Sequence, residues 1–483
     1  MKKFFITTPV YYVNDKPHIG HAYTSVAADV LARFHKLQGE EVFLLMGTDE
    51  HGLKIQKKAE EAGKDPQAFV DEISQEFKNY WEKLNIKYDN FIRTSADMHK
   101  SAVQKALQIL FDKGAIYKGE YEGYYCVACE QFKNEKDLVN DRCPDHDIVV
   151  EKVKEESYLL KMSGDVQKKL IEKIKSDEFR IAPAKYKKEI LSFLTKEKLK
   201  DVSISRKNVK WGIPLPFDAE HTTYVWFDAF LSYLTGLGWD GEIPLSPSLI
   251  RGEIKGELAS KFWPADVQLI GKDILRVHAT IWPIMLMHLG IELPKVLYVH
   301  GHLLSGGRKM SKTIGNAIGI DEMLEKFGVD GTRYLLMSAG TFGEDVDVTM
   351  ERLTEKYNAD LANGIGNLVS RVVKLMGNSE NWGNQRDRGQ IRAIGKLIEG
   401  IKMNEALSDI WKIVREDDKF IEENKPWELV KNSENKFREV MKKLVSDLYS
   451  ISEMLIPPIP DTAEKIKKAL ETKKAEILFP RIK

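Results

Sequence analysis

The chain has 483 residues, too many for one hydrophobic core, so three or four packed units are expected. Its 43% hydrophobic and 30% charged residues describe an ordinary soluble globular protein. Three cysteines exclude a disulfide framework and suggest a reducing compartment, while 73 basic residues balance 73 acidic ones, so no global charge advertises a polyanionic partner; RNA could still be met through local patches. No apolar run approaches the roughly 20 residues of a membrane span, and Met1-Lys2-Lys3-Phe4-Phe5-Ile6 lacks the apolar stretch of a signal peptide, so no membrane association and a cytoplasmic location are expected.

The first hundred residues alternate strand and helix signals. Residues 4–13 are β-rich and free of charge, which predicts a buried parallel strand. Asn14-Asp15-Lys16-Pro17 turns the chain, and from His18 the apolar positions Tyr23, Val26, Ala27, Val30, Leu31 and Phe34 follow helical spacing up to a stop at Gly39. Val42 to Met46 predicts a second buried strand, followed by helices over 51–84 and 97–113. This order points to an α/β, Rossmann-like doubly wound parallel sheet. Residues 115–215 hold all three cysteines and few long periodic segments, so they read as an insertion; alternation resumes near Tyr224 and again at Val267. From 355 to 455 the apolar period is helical, which predicts an α-helix bundle.

Two motifs carry chemistry. His18-Ile19-Gly20-His21 lies where the first strand hands over to the first helix, the place where open α/β sheets bind phosphates on unpaired N–H groups and the helix dipole. Gly20 permits close approach, and the two imidazoles can donate to phosphate oxygens. Nearly three hundred residues later, Gly306-Gly307-Arg308-Lys309-Met310-Ser311-Lys312-Thr313 sets two lysines behind flexible glycines, where they can stabilise a triphosphate as charge develops. A third signal is Cys126-x2-Cys129, thirteen residues, then Cys143-x2-His146, two knuckles with the spacing of a structural zinc site. His146 is the best-placed fourth ligand, with Asp145 and Asp147 as alternatives; a closed four-ligand site makes the Zn²⁺ structural rather than catalytic.

The first two motifs, in this order and at this separation, resemble the HIGH and KMSKS signatures of class I aminoacyl-tRNA synthetases, the second reading KMSKT here. The resemblance sharpens to the methionyl-tRNA synthetases through Thr8-Pro9-Val10-Tyr11-Tyr12-Val13-Asn14, Gly47-Thr48-Asp49-Glu50-His51-Gly52, Tyr224-Val225-Trp226-Phe227-Asp228-Ala229 and Ile270-Gly271-Lys272-Asp273-Ile274. Ser203-Ile204-Ser205-Arg206 and Trp211-Gly212-Ile213-Pro214 are similar to that family's return from the insertion into the catalytic domain. The implied organisation is a Rossmann-like catalytic domain in two halves, 1–114 and 216–295, split by a zinc-knuckle insertion at 115–215; a KMSKT linking region at 296–354 and an anticodon-binding helix bundle at 355–483 follow.

What the resemblance implies is methionine–tRNA ligase activity. Methionine would be activated by ATP to methionyl-adenylate and passed to the 3′ end of tRNA(Met), initiator and elongator alike, with Mg²⁺ accompanying ATP. His18, His21, Lys309 and Lys312 would be catalytic; with Gly20, Gly271, Lys272 and Asp273 they would bind ATP. Pro9, Val10, Tyr12, Trp226, Tyr233, Ile274 and His278 would line the methionine pocket, with Tyr12 and His278 offering hydrogen bonds to the sulfur and Asp49 pairing with the ammonium. Phe230 stands where proline is common in relatives, so its bulkier ring would reshape the pocket wall. Asn367 and Arg371, on one helix face with Asn363, and Trp427, behind Pro426, match the positions that read the CAU anticodon.

Apolar pockets discriminate by only about 1–3 kcal/mol per methylene, and an insertion of this size is too small for an editing domain, which argues against leucine, isoleucine or valine as substrate. Two rivals are a cysteinyl-tRNA synthetase and a catalytically inactive zinc-dependent RNA-binding protein. Confinement of the cysteines to the insertion argues against the first, and the two lysines of KMSKT against the second. With no appended dimerisation module in the sequence, a monomer is expected.

Overall fold

The structure, a computed structural model, describes residues 2–126, 131–133, 135, 138–144, 148–207, 209–242, 257–310, 318–377 and 381–483. The first part runs β1 (Lys3–Thr7), β2 (Tyr11–Tyr12), α1 (Ile19–Leu37), β3 (Glu41–Asp49), α2 (Leu53–Glu61), α3 (Pro66–Lys83), β4 (Asn90–Arg93) and α4 (Asp97–Asp112). The single strand expected over 4–13 is two, because Pro9 has no N–H to give to a ladder. Both pieces pair parallel with β3, Phe5 opposite Phe43 and Tyr12 opposite Asp49, and the interruption carries Pro9 and Val10 out of the sheet. Along β1, Phe4 and Ile6 enter one hydrophobic cluster and Phe5 another, so side chains of period two bury both faces.

An antiparallel sheet follows, built on the long pairing of β5 (Ile116–Cys126) with β7 (Glu151–Leu160) and extended by β6 (Gln131–Lys133). The chain then returns earlier than the expected boundary at 215. After α5 (Asp165–Lys175), the strand β8 (Arg180–Ala182) pairs parallel with the main sheet, and α6 (Ala184–Lys196) follows it. Three residues give too little periodicity to reveal that strand. The short strands β9 (Val202–Ser203), β10 (Ser205–Arg206), β11 (Pro214–Leu215) and β12 (Asp218–Thr223) lead to α7 (Val225–Thr235) and α8 (Glu257–Phe262). With β13 (Val267–Gly271), α9 (Leu275–Leu289) and β14 (Val296–His300) the sheet is complete: seven strands in the order β2-β3-β1-β13-β14-β8, with β4 also on β3. Its direction of winding reverses between β1 and β13, and a ligand crevice is expected at their carboxyl ends.

The hairpin β15 (Leu303–Ser305) and β16 (Arg308–Lys309) turns at Gly306 and Gly307, both with positive φ (62° and 74°) that suits glycine. The helix α10 (Ile320–Ser338) and β17 (Val346–Asp347) lead into α11 (Met350–Lys356), a π-helical stretch Tyr357–Ile365, and α12 (Gly366–Leu375). The remaining helices are α13 (Arg388–Glu399), α14 (Met403–Asn424), α15 (Pro426–Asn432), α16 (Glu434–Leu455) and α17 (Pro460–Thr472). One buried charge pair joins this bundle to the sheet domain. Arg333 on α10 gives Nη2 to Asp29 on α1 at 2.6 Å, and its other N–H groups reach the carbonyls of Leu84, Pro457 and Pro458. Among the described residues no helix is long and apolar enough to cross a membrane.

Candidate active site

At the crevice between β1 and β13 lies a cavity of about 430 Å³. The start of α1 forms part of its wall, through His18, Ile19, Gly20 and His21. His18 is the N-cap residue; its Nδ1 accepts from Gly20 N at 3.1 Å, and the His18 N–H donates to Nδ1 of His21 at 3.3 Å. A nitrogen that accepts a backbone N–H carries no proton, so each of these rings bears its proton on Nε2. The rings stack with centroids 3.8 Å apart. A Cβ on residue 20 would lie 2.9 Å from the His18 ring, so glycine there makes room for the cap.

The opposite side is apolar and aromatic. Pro9, Val10, Tyr12, Asp49, Trp226, Tyr233, Ile274 and His278 all line the cavity, as do Gly271 and Asp273 from the end of β13. Phe230 lines it too, stacked on Trp282 at 5.7 Å and edge-on to His278 at 5.0 Å. Lys272 is absent from the lining: its ammonium reaches Asp345 at 2.6 Å. Next to it in sequence, Asp273 does line the cavity and lies 3.6 Å from Nε2 of His302.

His278 departs from its expected part. Its Nδ1 sits 3.0 Å from the carbonyl of Ile274, which can only accept, so Nδ1 holds the proton. Nε2 then accepts from the Tyr233 hydroxyl at 2.9 Å. Burial lowers the pKa of this imidazole to about 4 and keeps it neutral. Neither nitrogen has an N–H left to offer a ligand.

Sequence reasoning passed over a second histidine of the same kind. His300, at the end of β14, lines the cavity with its Nδ1 2.7 Å from the Gly301 carbonyl and its Nε2 2.7 Å from Thr24 Oγ1; burial lowers its pKa to about 4. His302 lies two residues on. The signal was available, because His300-Gly301-His302 follows a buried parallel strand beside β13. Lys54 also lines the cavity, with its ammonium 5.5 Å from the centre of the Tyr12 ring.

The Gly47-to-Gly52 segment is held from behind. A Cβ on Gly47 would fall 2.2 Å from the Ile92 carbonyl oxygen, so β4 can approach only a glycine. Glu50 is buried and takes a two-pronged pair from Arg93, at 2.8 and 2.9 Å. This fixes the strand end from which Asp49 enters the cavity.

Other expected site residues lie elsewhere. Lys309 ends β16, but its side chain and all of Lys312 lie outside the described residues, as do Cys129 and His146. Cys126, at the end of β5, and Cys143 are both buried, packed with Val150 in one small cluster. Two buried thiols sharing one cluster at the end of β5 fit a pair of zinc ligands; among the described residues no group of three ligating side chains occurs. In the bundle, Asn367 is exposed on α12 and Trp427 is 40% exposed on α15, so neither ring nor amide is spent on the core. Arg371 on α12 reaches Glu422 at 2.5 Å and Asp418 at 3.4 Å on α14. Asn363 falls in the π-helical stretch, and the non-helical Gly364 separates it from the regular spacing of Asn367 and Arg371.

Comparison with known proteins gives a consistent picture. The chain matches the family model described as tRNA synthetases class I (M) over residues 4–152 and 135–373. It is 42% identical to the methionine–tRNA ligase of Clostridium acetobutylicum over 517 aligned positions, covering 100% of this chain and 78% of that protein. The corresponding protein of Thermotoga maritima is 38% identical, with 96% and 74% covered. Among solved structures, Mycobacterium tuberculosis methionyl-tRNA synthetase in complex with methionyl-adenylate superimposes with a TM-score of 0.86 at 33% identity, covering 97% of this chain and 93% of the other.

Proposed function

The chain belongs to the methionine–tRNA ligases of the class I tRNA synthetases, and we propose that the cavity between β1 and β13 is where it joins methionine to ATP and then to tRNA. The reaction is an ATP-dependent ligation in two steps. The methionine carboxylate attacks the α-phosphate of ATP, forming methionyl-adenylate as the bond to pyrophosphate breaks; the terminal ribose hydroxyl of tRNA then attacks the carbonyl and AMP leaves. Such chemistry rests on positioning and charge stabilisation and needs no protein nucleophile.

The observation that carries the assignment of sites is that one cavity has a helix start with two Nε2-protonated imidazoles on one side and an apolar aromatic wall on the other. His18 and His21 would hold the phosphates, with Gly20 giving room; Gly271 and Asp273 would hold adenosine, and Lys309 and Lys312 would stabilise the departing pyrophosphate. Asp49 would take the methionine ammonium, with Pro9, Val10, Trp226, Tyr233, Ile274 and His278 around the side chain. Lys272 would act through Asp345 rather than on ATP, since that carboxylate holds it away from the cavity. Mg²⁺ would arrive with ATP and neutralise its phosphates; Asp49 and Asp273 are the carboxylates lining the cavity among the described residues, too few for a metal cage of the protein's own.

In the insertion, Cys126, Cys129, Cys143 and His146 would hold a structural Zn²⁺ that ties its turns together. In the bundle, Asn367 and Arg371 would read anticodon bases and Trp427 would stack on one. The substrates are then ATP, L-methionine and tRNA(Met), handled by a monomer in the cytoplasm. Charging of purified tRNA with labelled methionine, set beside cysteine, is the test. Methionine-specific charging supports this reading, and charging with cysteine instead overturns it.

A further inference from the structure

α7 presents two faces with different duties. Trp226, Phe230 and Tyr233 turn toward the cavity. Asp228 and Thr235 each follow a cavity residue by two positions, about 200° around a helix, and so point directly away from it. Both of these outward residues are buried, and each meets a buried imidazole from a different element. Asp228 Oδ2 lies 2.8 Å from Nδ1 of His51, and Thr235 Oγ1 lies 2.7 Å from Nδ1 of His99 on α4. The aromatic wall is thus pinned from behind at both ends.

The His51 clasp bears on the site more directly than the His99 one. His51 stands two residues after Asp49, which enters the cavity, just as Asp228 stands two residues after Trp226. The segment that carries it is rigid: Gly52 donates to the Trp211 carbonyl at 3.1 Å, Trp211 Nε1 donates back to the Glu50 carbonyl at 2.5 Å, and Glu50 is locked by Arg93. A displacement of His51 relative to Asp228 would therefore change the separation between Asp49 and the aromatic wall.

We propose that His51 and Asp228 are positioning residues that set the width of the amino-acid pocket, holding the wall on α7 at a fixed distance from Asp49 without touching substrate. This rests on the cavity being the methionine site. The clasp acts on the end of the pocket between ammonium and side chain, so it governs methionine affinity and discrimination more than the handling of ATP.

The test is methionine-dependent ATP–pyrophosphate exchange by the full chain. His51→Leu removes the clasp, and His51→Asn restores a donor near the place of Nδ1. The expected result is a KM for methionine raised about tenfold or more in His51→Leu, with KM for ATP within about threefold of the unaltered protein and most of the methionine affinity recovered in His51→Asn. Discrimination against ethionine, one methylene longer, should weaken in the same variant. Should His51→Leu fail to fold, Asp228→Ser reads the clasp from its other side, with the same expected pattern. An unaltered methionine KM, or equal losses for methionine and ATP, overturns the proposal. Absence of methionine-dependent exchange in the unaltered protein would instead overturn the reading of the cavity on which it rests.

Discussion

Tyr233 donates its hydroxyl proton to Nε2 of His278 across 2.9 Å, and this bond settles what that imidazole can offer a ligand. With Nδ1 already committed to the Ile274 carbonyl, the imidazole is a neutral acceptor closed on both sides. On the proposed reading of the cavity this suits a thioether, which accepts hydrogen bonds only weakly and needs no strong donor from His278.

Replacing Tyr233 with Phe strands the buried Nε2 without a partner. The expected cost is about 1–3 kcal/mol of stability, seen as a lower midpoint in denaturant unfolding, together with a higher KM for methionine. An unchanged midpoint would show that the hydroxyl is not needed to satisfy His278.

Acid should expose the same feature. Burial lowers the pKa of His278 and of His300 to about 4, from an ordinary value of 6.5. Between those values the unfolded chain binds more protons than the folded one. The stability these groups contribute is therefore complete above about pH 6.5 and is lost as pH falls toward 4. His278→Gln, which cannot titrate, should flatten the dependence of unfolding free energy on pH in that window by about one proton's worth. Denaturant titrations at several pH values check this, and an unchanged slope would contradict it.

The Asp29–Arg333 pair makes a prediction about the joint between sheet and bundle. Both side chains are fully buried, and the guanidinium also serves three backbone carbonyls. Removing one partner of a buried pair costs about 3–5 kcal/mol, and Arg333→Leu should fall near the lower end because Arg33 still reaches Asp29 at 2.7 Å. Thermal unfolding measures it; a loss comparable to that of a surface substitution would mean that the joint repacks.

In the bundle, Trp427→Ala should lower kcat/KM for tRNA charging about tenfold or more, the value of a lost base stack, while ATP–pyrophosphate exchange stays near that of the unaltered protein. The ring's 40% exposure is why folding should survive the change. Loss of both activities would make Trp427 a structural residue, and no change in either would remove it from the anticodon site.

Metal analysis tests the insertion. The purified protein should hold about one Zn²⁺ per chain, and Cys143→Ala should release it. No zinc in the unaltered protein, or a full complement in the variant, would refute the ligand set.

Strong local signals made much of this architecture legible beforehand. The spacing from Tyr23 to Phe34 and the stop at Gly39 gave α1, and the charge-free run at Val42 to Met46 gave β3. The features that escaped depend on partners distant in sequence. Nothing in Arg180-Ile181-Ala182 announces a parallel strand until β14 is beside it. The tautomer of His278 is fixed by Ile274 and Tyr233, one on the same stretch of chain and the other 45 residues away, so only the folded structure shows it unable to donate. Helical spacing placed Asn363 beside Asn367, but the π-helical stretch before Gly366 shifts that register.

The most direct measurement for the whole account is ATP–pyrophosphate exchange with each amino acid supplied singly. Exchange that depends on methionine, and falls by about a hundredfold or more in Lys312→Ala while methionine affinity changes little, is the predicted result. Exchange with another amino acid in preference to methionine, or equal rates in the two proteins, would contradict it.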